Sequence, residues 1–333
     1  MFELVSLAVS FGLLFAQGPP RPTIDVARDG SGDFTTVQSA VDSIGPAGGV
    51  IRIRAGLYRE KIVVDKPKIE LRGMGSDPRD VILSWDLNAK AAGGTFKSAS
   101  TTVTGDDFYA ENLTFENTYS RTRPLGEGSQ AVALRVTADR AVFRRVRFLG
   151  HQDTLYATTA HCMNEPGECR PARQYFAGCY VEGNVDFIFG DALAYFEDCE
   201  IHSLAHKTVA ITAQSKMRAE EKSGYVFNRC RLTAEAGANR VYLGRPWRSY
   251  ATVIFLNTHM SAEIAPAGWL EWEQGGKLSL PTAYYAEFNS QGPGAKPDAR
   301  DSHSHQLTAE QAAAYSAQAF LRGGDGWDPT KVK

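Results

Sequence analysis

Val142-Phe-Arg-Arg-Val146-Arg-Phe148 is one copy of a seven-residue pattern that organises this 333-residue chain. Each copy has an apolar first position, a small or apolar fifth position and an apolar seventh position. Six copies follow one another: Tyr109–Phe115, Val142–Phe148, Tyr175–Val181, Tyr195–Ile201, Val226–Leu232 and Ile254–Met260. Their central positions are 33, 33, 20, 31 and 28 residues apart, which is the period range of stacked-repeat proteins.

The repeats predict an all-β solenoid, a parallel β-helix. Short alternating runs such as Val50–Arg54 and Ala131–Val136 have strand periodicity, and Gly, Asn and Asp separate them. One turn of backbone per repeat would stack these strands as parallel rungs about 4.8 Å apart. A β-sandwich or barrel is the alternative, but neither fold needs one pattern repeated six times.

Both ends of the repeat region have the features of caps. Apolar residues on one helical face predict an amphipathic helix over residues 34–45, which would cover the first coil. Residues 291–301 are rich in Gly, Pro and charge and predict an irregular connection. An alanine-rich segment then predicts a second helix over 308–321 that packs back on the solenoid. No linker interrupts the chain, so we expect one domain over residues 22–333, with a C-terminal capping tail from about residue 291.

The N-terminal segment indicates where the protein acts, and the net charge limits what it can bind. Residues 2–16 are mostly apolar, too few to span a bilayer comfortably, and small residues follow, which predicts a signal peptide over residues 1–18. We therefore expect a secreted or periplasmic monomer without a membrane span. The formal net charge is −2 and the sequence pI is near 6.4, so the basic stripe that nucleic acid requires is missing. An anionic substrate must be met by local cations instead.

The five cysteines leave their pairing open. Cys162 and Cys169 bracket a short loop that a disulfide could close. Cys179 and Cys199 hold the same position in consecutive copies, so stacking would bring them roughly within disulfide range. Cys230 continues that series and would remain unpaired; alternatively, all three are small buried side chains. The spacing does not fit a zinc site, and we expect no metal or other cofactor.

Two aspartates are candidate catalytic residues, and the repeat predicts that they lie close together. Asp153 lies seven residues after Val146, and Asp186 lies seven residues after Cys179, so stacked copies stack the two carboxylates. Two close carboxylates cannot both ionise freely, so one keeps a proton near neutral pH. Each aspartate could instead cap a turn, which is common beside Gly or Asn. Asp186 lies inside an apolar run, however, where an unpaired charge would be costly.

Candidate partners for the carboxylates come from three other positions. Arg245, in Leu243-Gly-Arg-Pro-Trp247, could hold Asp186 ionised through a bidentate contact, and Trp247 offers a flat face for a sugar ring. Gln130 and Gln152 add neutral amide donors. Gln152 directly precedes Asp153, and strand alternation would send the two side chains to opposite faces. A turn or bulge is required if both serve one site.

An ordered set of motifs resembles the signature blocks of the pectin methylesterase (pectinesterase) family. The blocks are Gly32–Gln38, Ala55–Glu60, Gly150–Tyr156, Gly183–Gly190, Ile211–Gln214 and Leu243–Trp247, within a resemblance that runs from about residue 24 to about residue 272. Three departures stand out. His151 replaces a more usual Tyr, Asn184 stands where Thr is common, and residues 160–171 look like an insertion.

The resemblance implies a right-handed parallel β-helix that hydrolyses the methyl ester of galacturonate in pectin. It assigns Asp186 as the nucleophile, Asp153 as the general acid and base, and Arg245 as the residue that orients Asp186. Gln152 and Gln130 would stabilise the oxyanion. The substrate-binding cleft would be lined by Trp247, Tyr156, Phe189 and Tyr250.

Other functions compatible with the residues remain open. A glycosidase or lyase acting on polygalacturonate could share the fold, and a retaining glycosidase also uses two close carboxylates. A non-catalytic carbohydrate-binding solenoid, or an enzyme for another ester, is also compatible, since a fold does not fix a function.

Overall fold

The computed structural model describes residues 21–121, 123, 126–160, 170–273 and 275–332. Within these ranges the strands form three parallel sheets, and the chain visits the sheets in a fixed order, coil after coil. The prediction of a right-handed parallel β-helix is confirmed. The signal peptide predicted for residues 1–18 and the Cys162–Cys169 loop lie outside the described residues.

Each sheet takes one strand from nearly every coil. Sheet A comprises Thr23–Val26, Gly49–Ile53, Ile69–Gly73, Tyr109–Glu111, Ala141–Arg144, Arg173–Ala177, Leu193–Glu197, Gly224–Asn228, Thr252–Leu256, Tyr284–Phe288 and His305–Gln306. Sheet B comprises Gly56–Arg59, Val81–Trp85, Thr114–Asn117, Arg147–Leu149, Tyr180–Gly183, Glu200–Ser203, Arg231–Ala234 and His259–Met260. Sheet C comprises Ile62–Val64, Thr101–Val103, Leu134–Val136, Leu155–Ala157, Val185–Gly190, Val209–Gln214 and Val241–Gly244.

The seven-residue pattern is the corner between sheets A and B. Its first positions are register partners from coil to coil, running Tyr109, Val142, Tyr175, Tyr195, Val226 and Ile254. The second position points inward, where Phe143, Phe176, Phe196, Phe227 and Phe255 form a continuous stack. Neighbouring ring centroids in this stack are 4.5 to 4.8 Å apart. The repeat therefore sets the register because each aromatic ring packs on its copy in the next coil.

The helices are short and lie at the edges of the solenoid. The α-helices of the described chain are Val37–Ser43, Ala89–Ala92, Ala309–Ala313 and Ala317–Leu321. The 3₁₀ helices are Pro78–Asp80, Thr95–Lys97, Tyr119–Arg121, Leu280–Thr282, Pro297–Ala299 and Pro329–Lys331. None of the helices in these ranges is both long and apolar enough to cross a membrane.

The two predicted helices are present, but their bounds differ. The N-terminal helix begins later than expected because Thr36 is its N-cap, with its side chain accepting from the Ser39 N–H. The prediction of one continuous helix over 308–321 is wrong. Ser316 is extended and caps a new helix, so the segment forms two helices of five residues each. Both pack along the outer face of sheet A, around Tyr175, Tyr195 and neighbouring apolar side chains.

The stacked cysteines are not cross-linked. Cys179, Cys199 and Cys230 are buried free thiols, so the Cys179–Cys199 disulfide does not form and the alternative of small buried side chains holds. Each thiol donates to a backbone carbonyl of the preceding coil; Cys199 Sγ, for example, lies 3.4 Å from the Phe176 oxygen. These contacts let the thiols pack in the core as weakly polar small side chains.

Candidate active site

The two aspartates lie side by side at the edge of sheet C where its strands begin. Leu155 is the register partner of Ile188, so Asp153 and Asp186 occupy equivalent positions in neighbouring coils. The Asp153 N–H donates to the Val185 carbonyl oxygen at 3.0 Å. Both side chains are buried. The repeat spacing has therefore brought two carboxylates together in a setting that is shielded from water.

A local break in strand geometry directs side chains that are adjacent in sequence toward the same cavity. Asp153 and Asp186 both have left-handed backbones, with φ of 64° and 52°. The register also shifts between Val185 and Ile188. Such bulges re-aim side chains. They supply the turn that the sequence required for Gln152 and Asp153 to share a site, and both residues line a cavity of about 250 Å³.

Arg245 is paired with one of the two carboxylates. Its Nε donates to Asp186 Oδ1 at 2.7 Å, and its second terminal nitrogen donates to Oδ2 at 2.6 Å. On its other side, the guanidinium carbon lies 4.2 Å from the centroid of the Trp272 ring. Gly244, which precedes Arg245, packs closely on Thr212 in the neighbouring strand, because a Cβ there would lie 2.0 Å from Thr212 Oγ1. The bidentate contact fixes both the charge and the orientation of Asp186.

The surroundings of the two carboxyl groups affect their pKa values differently. Burial, together with the nearby Asp186 charge, holds the pKa of Asp153 well above its usual range, although Arg245 acts in the opposite direction. Burial also raises the pKa of Asp186, but there the hydrogen bonds and the positive charge of Arg245 oppose it. Among the described residues, the Arg245 side chain donates hydrogen bonds only to Asp186. The arrangement therefore favours an ionised Asp186 beside a protonated Asp153.

The two glutamines place amide groups in the same cavity. Gln130 and Gln152 both line it, and Gln152 Oε1 accepts a hydrogen bond from Ser129 Oγ at 3.4 Å. The side-chain N–H groups of these glutamines donate to none of the residues described. They are available to an oxygen that develops negative charge in the cavity.

Aromatic side chains form one wall of the cavity. Phe189 and Trp247 line it, with ring centroids 6.1 Å apart. Tyr156 supports this wall from behind by stacking on Phe189 at 4.4 Å. Tyr250, predicted to bind substrate, does not reach the cavity. It is 37% exposed, its N–H donates to the Lys216 carbonyl, and it lies in the turn after Trp247, outside the residues that line the cavity.

The cavity also contains residues that the sequence reasoning missed. Thr95 and Phe96, from a 3₁₀ helix, line it together with Ala213 and Trp272. Phe96 stacks on Tyr156 at 4.7 Å. Ala213 could have been found by extending the strand register from Phe189. Phe96 and Trp272 lie outside the repeated pattern, so the repeat could not predict that they line the cavity.

The fold and the cavity together define a β-helical protein with a paired-carboxylate site, and comparison with known proteins gives its family. The pectinesterase family profile matches residues 23–325. Pectinesterase 31 of Arabidopsis thaliana is 38% identical over 312 residues, covering 90% of this chain and 92% of that protein. The chain belongs to the pectinesterase family.

Solved structures agree with this assignment. Pectin methylesterase from carrot matches with a TM-score of 0.80 and 32% identity, covering 93% of this chain and 96% of the carrot chain. A pectin methylesterase in complex with a hexasaccharide matches with a TM-score of 0.77 and 28% identity, covering 92% and 98% of the two chains. The family resemblance inferred from the motifs is confirmed.

Proposed function

We propose that this chain hydrolyses the methyl esters of galacturonate in pectin through a covalent intermediate on Asp186. The observation that carries the proposal is the bidentate pairing of Arg245 with Asp186 rather than with Asp153, whose pKa is raised well above its usual range. One cavity then holds an oriented anionic nucleophile and a neutral acid. Family membership supports the choice of ester and polymer.

The first half of the proposed reaction forms the acyl-enzyme. A carboxylate oxygen of Asp186 attacks the ester carbonyl carbon, and its electron pair becomes the new bond. The carbonyl oxygen takes the negative charge and accepts hydrogen bonds from the Gln152 and Gln130 amides. When the tetrahedral intermediate collapses, the bond to the methoxy oxygen breaks. Asp153 donates its proton to that oxygen, and methanol leaves.

The second half restores the enzyme. Asp153 is now ionised and takes a proton from a water molecule, which attacks the acyl carbon. The bond to Asp186 breaks, and its electron pair returns to the carboxylate that Arg245 holds. The products are a protonated Asp153 and a galacturonic acid unit on the polymer, which releases its proton to water, so the cycle closes. In this scheme Trp247 and Phe189 contact the sugar ring, while Tyr156 supports them.

Methanol release from highly methylated pectin tests the proposal. We expect Asp186→Asn to lower kcat on the order of 10³-fold or more, because a neutral amide is a poor nucleophile. Asp186→Ala should be equally inactive. Asp198→Asn is a matched control. Asp198 also has a left-handed backbone, with φ of 54°, and pairs with Arg229, but it lies on the exposed corner between sheets A and B.

The same assay separates the proposed reaction from depolymerisation. New reducing ends without methanol would indicate a glycosidase, and chain cleavage that depends on added calcium would indicate a lyase. Full activity in Asp186→Asn would contradict the covalent mechanism. Export through the signal peptide predicted for residues 1–18 would bring the enzyme to a pectin substrate outside the cell.

A further inference from the structure

A buried asparagine contacts several points of the main chain near the catalytic cavity. Asn117 ends a strand of sheet B and is only 1% exposed. Its side-chain nitrogen donates to the carbonyl oxygens of Leu87, Ser98 and Val132 at 2.9, 3.1 and 3.0 Å. Its side-chain oxygen accepts from the Tyr119 N–H at 3.2 Å. Both ends of the Asn117 amide are therefore bonded to main chain, away from solvent.

These contacts join two segments that contribute to the cavity. Leu87 and Ser98 are the two ends of segment 87–98, which supplies two of the cavity-lining residues. Val132 lies two residues after Gln130, which also lines the cavity. The Ser98 hydroxyl adds a direct link, because it accepts from the Val132 N–H at 3.1 Å. Asn117 thus fastens segment 87–98 to the main chain beside Gln130.

Segment 87–98 is also bonded to the main chain at Gln130 and just before it. The Ala89 N–H donates to the Gln130 carbonyl oxygen at 2.8 Å. The Asn88 side chain donates to the Gly128 carbonyl oxygen at 2.8 Å. The main chain of Gln130 is therefore held in place by segment 87–98, and a shift of that segment would shift Gln130 with it.

The Gln130 amide depends on this support. Its N–H groups donate to none of the described residues, so its reach is set by the position of its main chain. A donor stabilises an oxyanion only when it lies about 3 Å from the developing charge. A misplacement of about 1 Å can lower the rate about 100-fold. Small shifts of the Gln130 main chain should therefore be expensive for catalysis.

We infer that Asn117 is a positioning residue for Gln130, the proposed oxyanion donor. It acts through segment 87–98, which it holds at both ends, and through Val132. The inference rests on the proposed function and adds to it a residue that does not line the cavity. The alternative is that Asn117 only stabilises the fold, as buried, fully bonded amides do. The two roles differ in whether the loss of Asn117 still matters once the Gln130 amide is gone.

A double-mutant cycle on methanol release separates the two roles. We expect Gln130→Ala to lower kcat about 100-fold and Asn117→Ala to lower it about 30-fold. If Asn117 acts through Gln130, kcat of the double variant should lie within about threefold of Gln130→Ala alone. A purely structural role would instead multiply the two losses, to about 3000-fold. Every rate is measured well below the Tm of the variant, so that the whole sample is folded.

Asn88→Ser is a milder change in the same support. Serine keeps the helix N-cap, in which Asn88 accepts from the Ala91 N–H at 3.1 Å, but loses the bond to Gly128. We expect kcat about fivefold below the wild type, and no further loss when the change is combined with Gln130→Ala. This second cycle decides the question if Asn117→Ala does not fold.

Asn112→Ala is the matched control. Asn112 is also buried, and its side-chain nitrogen donates to the Gly73 and Gly75 carbonyl oxygens at 3.0 and 2.7 Å, but it lies at the corner between sheets A and B. Its replacement should lower Tm and leave kcat unchanged. Losses that multiply in a folded double variant, or wild-type kcat in a folded Asn117→Ala enzyme, would overturn the inference and leave the proposed reaction intact. A wild type that releases no methanol would overturn the proposed reaction, and the inference with it.

Discussion

At the scale of single residues, Arg245 decides how the two carboxyls divide their roles. Asp153 and Asp186 are both buried, and burial raises the pKa of both carboxyls. Arg245 is bonded to both oxygens of Asp186, so its stabilising effect falls mainly on that group. Two similar side chains in equivalent positions of neighbouring coils therefore become a nucleophile and an acid in the proposed mechanism.

The pH profile of kcat tests this division of roles. Activity should fall at low pH as Asp186 is protonated and at high pH as Asp153 loses its proton. Arg245→Gln removes the charge that lowers the pKa of Asp186, so the acid limb should move to higher pH by about 1 unit or more. The kcat at the optimum should also fall, on the order of 10²-fold, because the nucleophile loses its orientation.

Arg245→Lys is the matched control for the pH experiment. It keeps the positive charge but not the bidentate geometry, so its acid limb should move less than that of Arg245→Gln. If both variants keep the wild-type acid limb, the ionisation of Asp186 does not depend on Arg245.

At the scale of elements, the corner between sheets A and B repeats one backbone conformation in every coil. The fourth position of the seven-residue pattern is left-handed in all six copies. These residues are Asn112, Arg145, Gly178, Asp198, Arg229 and Asn257, with φ between 51° and 59°. The turn thus needs a residue that tolerates positive φ, and Asn, Asp or Gly meets this need in four copies.

Gly178 offers a clean test of the corner. A Cβ at this position would meet only Arg145 Cγ, at 4.0 Å, so substitution tests the backbone conformation rather than packing. We expect Gly178→Ala to lower the free energy of unfolding by about 1 kcal/mol, and Gly178→Asn to lower it less. Urea denaturation measures both changes.

Gly45→Ala is the comparison for the Gly178 variants. Gly45 does not have a positive φ, and a Cβ there would meet no atom within 4 Å. Its replacement should leave stability unchanged or raise it slightly. Equal losses at the two glycines would show that the left-handed corner is not the cause.

At the scale of the whole molecule, the C-terminal tail is fastened to the outer face of sheet A by buried polar contacts. Arg173 donates to Asp139 at 2.6 Å and to Asp325 Oδ2 at 2.8 Å, and its guanidinium also reaches the Leu321 carbonyl. The Arg173 and Asp139 side chains are both buried. One arginine thus joins the strand that leads into the third repeat copy to a segment about 150 residues further along the chain.

Arg173→Leu should release the tail. The substitution removes the Arg173 hydrogen bonds from the buried Asp139, which keeps one contact with Arg140 at 3.0 Å, so we expect a loss of about 2 kcal/mol in the free energy of unfolding. Limited proteolysis should cut residues 307–332 sooner than in the wild type. Arg170→Leu is the control, because Arg170 is mostly exposed and its pair with Asp106 should contribute at most about 1 kcal/mol. A tail equally resistant in both variants would contradict the role of Arg173.

The sequence by itself determined the solenoid, its register and the meeting of Asp153 and Asp186. These features follow from one short pattern that recurs along the chain. Each copy packs on the next, so residues at the same distance from each copy also become neighbours. The same reasoning located Arg245 and both glutamines, but it had no means of choosing between one tail helix and two, or between a disulfide and free thiols.

The tertiary structure alone decided the shape of the cavity. The left-handed backbones at Asp153 and Asp186 bring Gln152 and Asp153 to one side. Phe96 and Trp272 line the cavity from segments outside the repeat. Tyr250, in the turn after Trp247, does not line it. A periodic pattern fixes which strands are neighbours. It does not fix the paths of the connecting loops, because those depend on contacts between residues far apart in the chain.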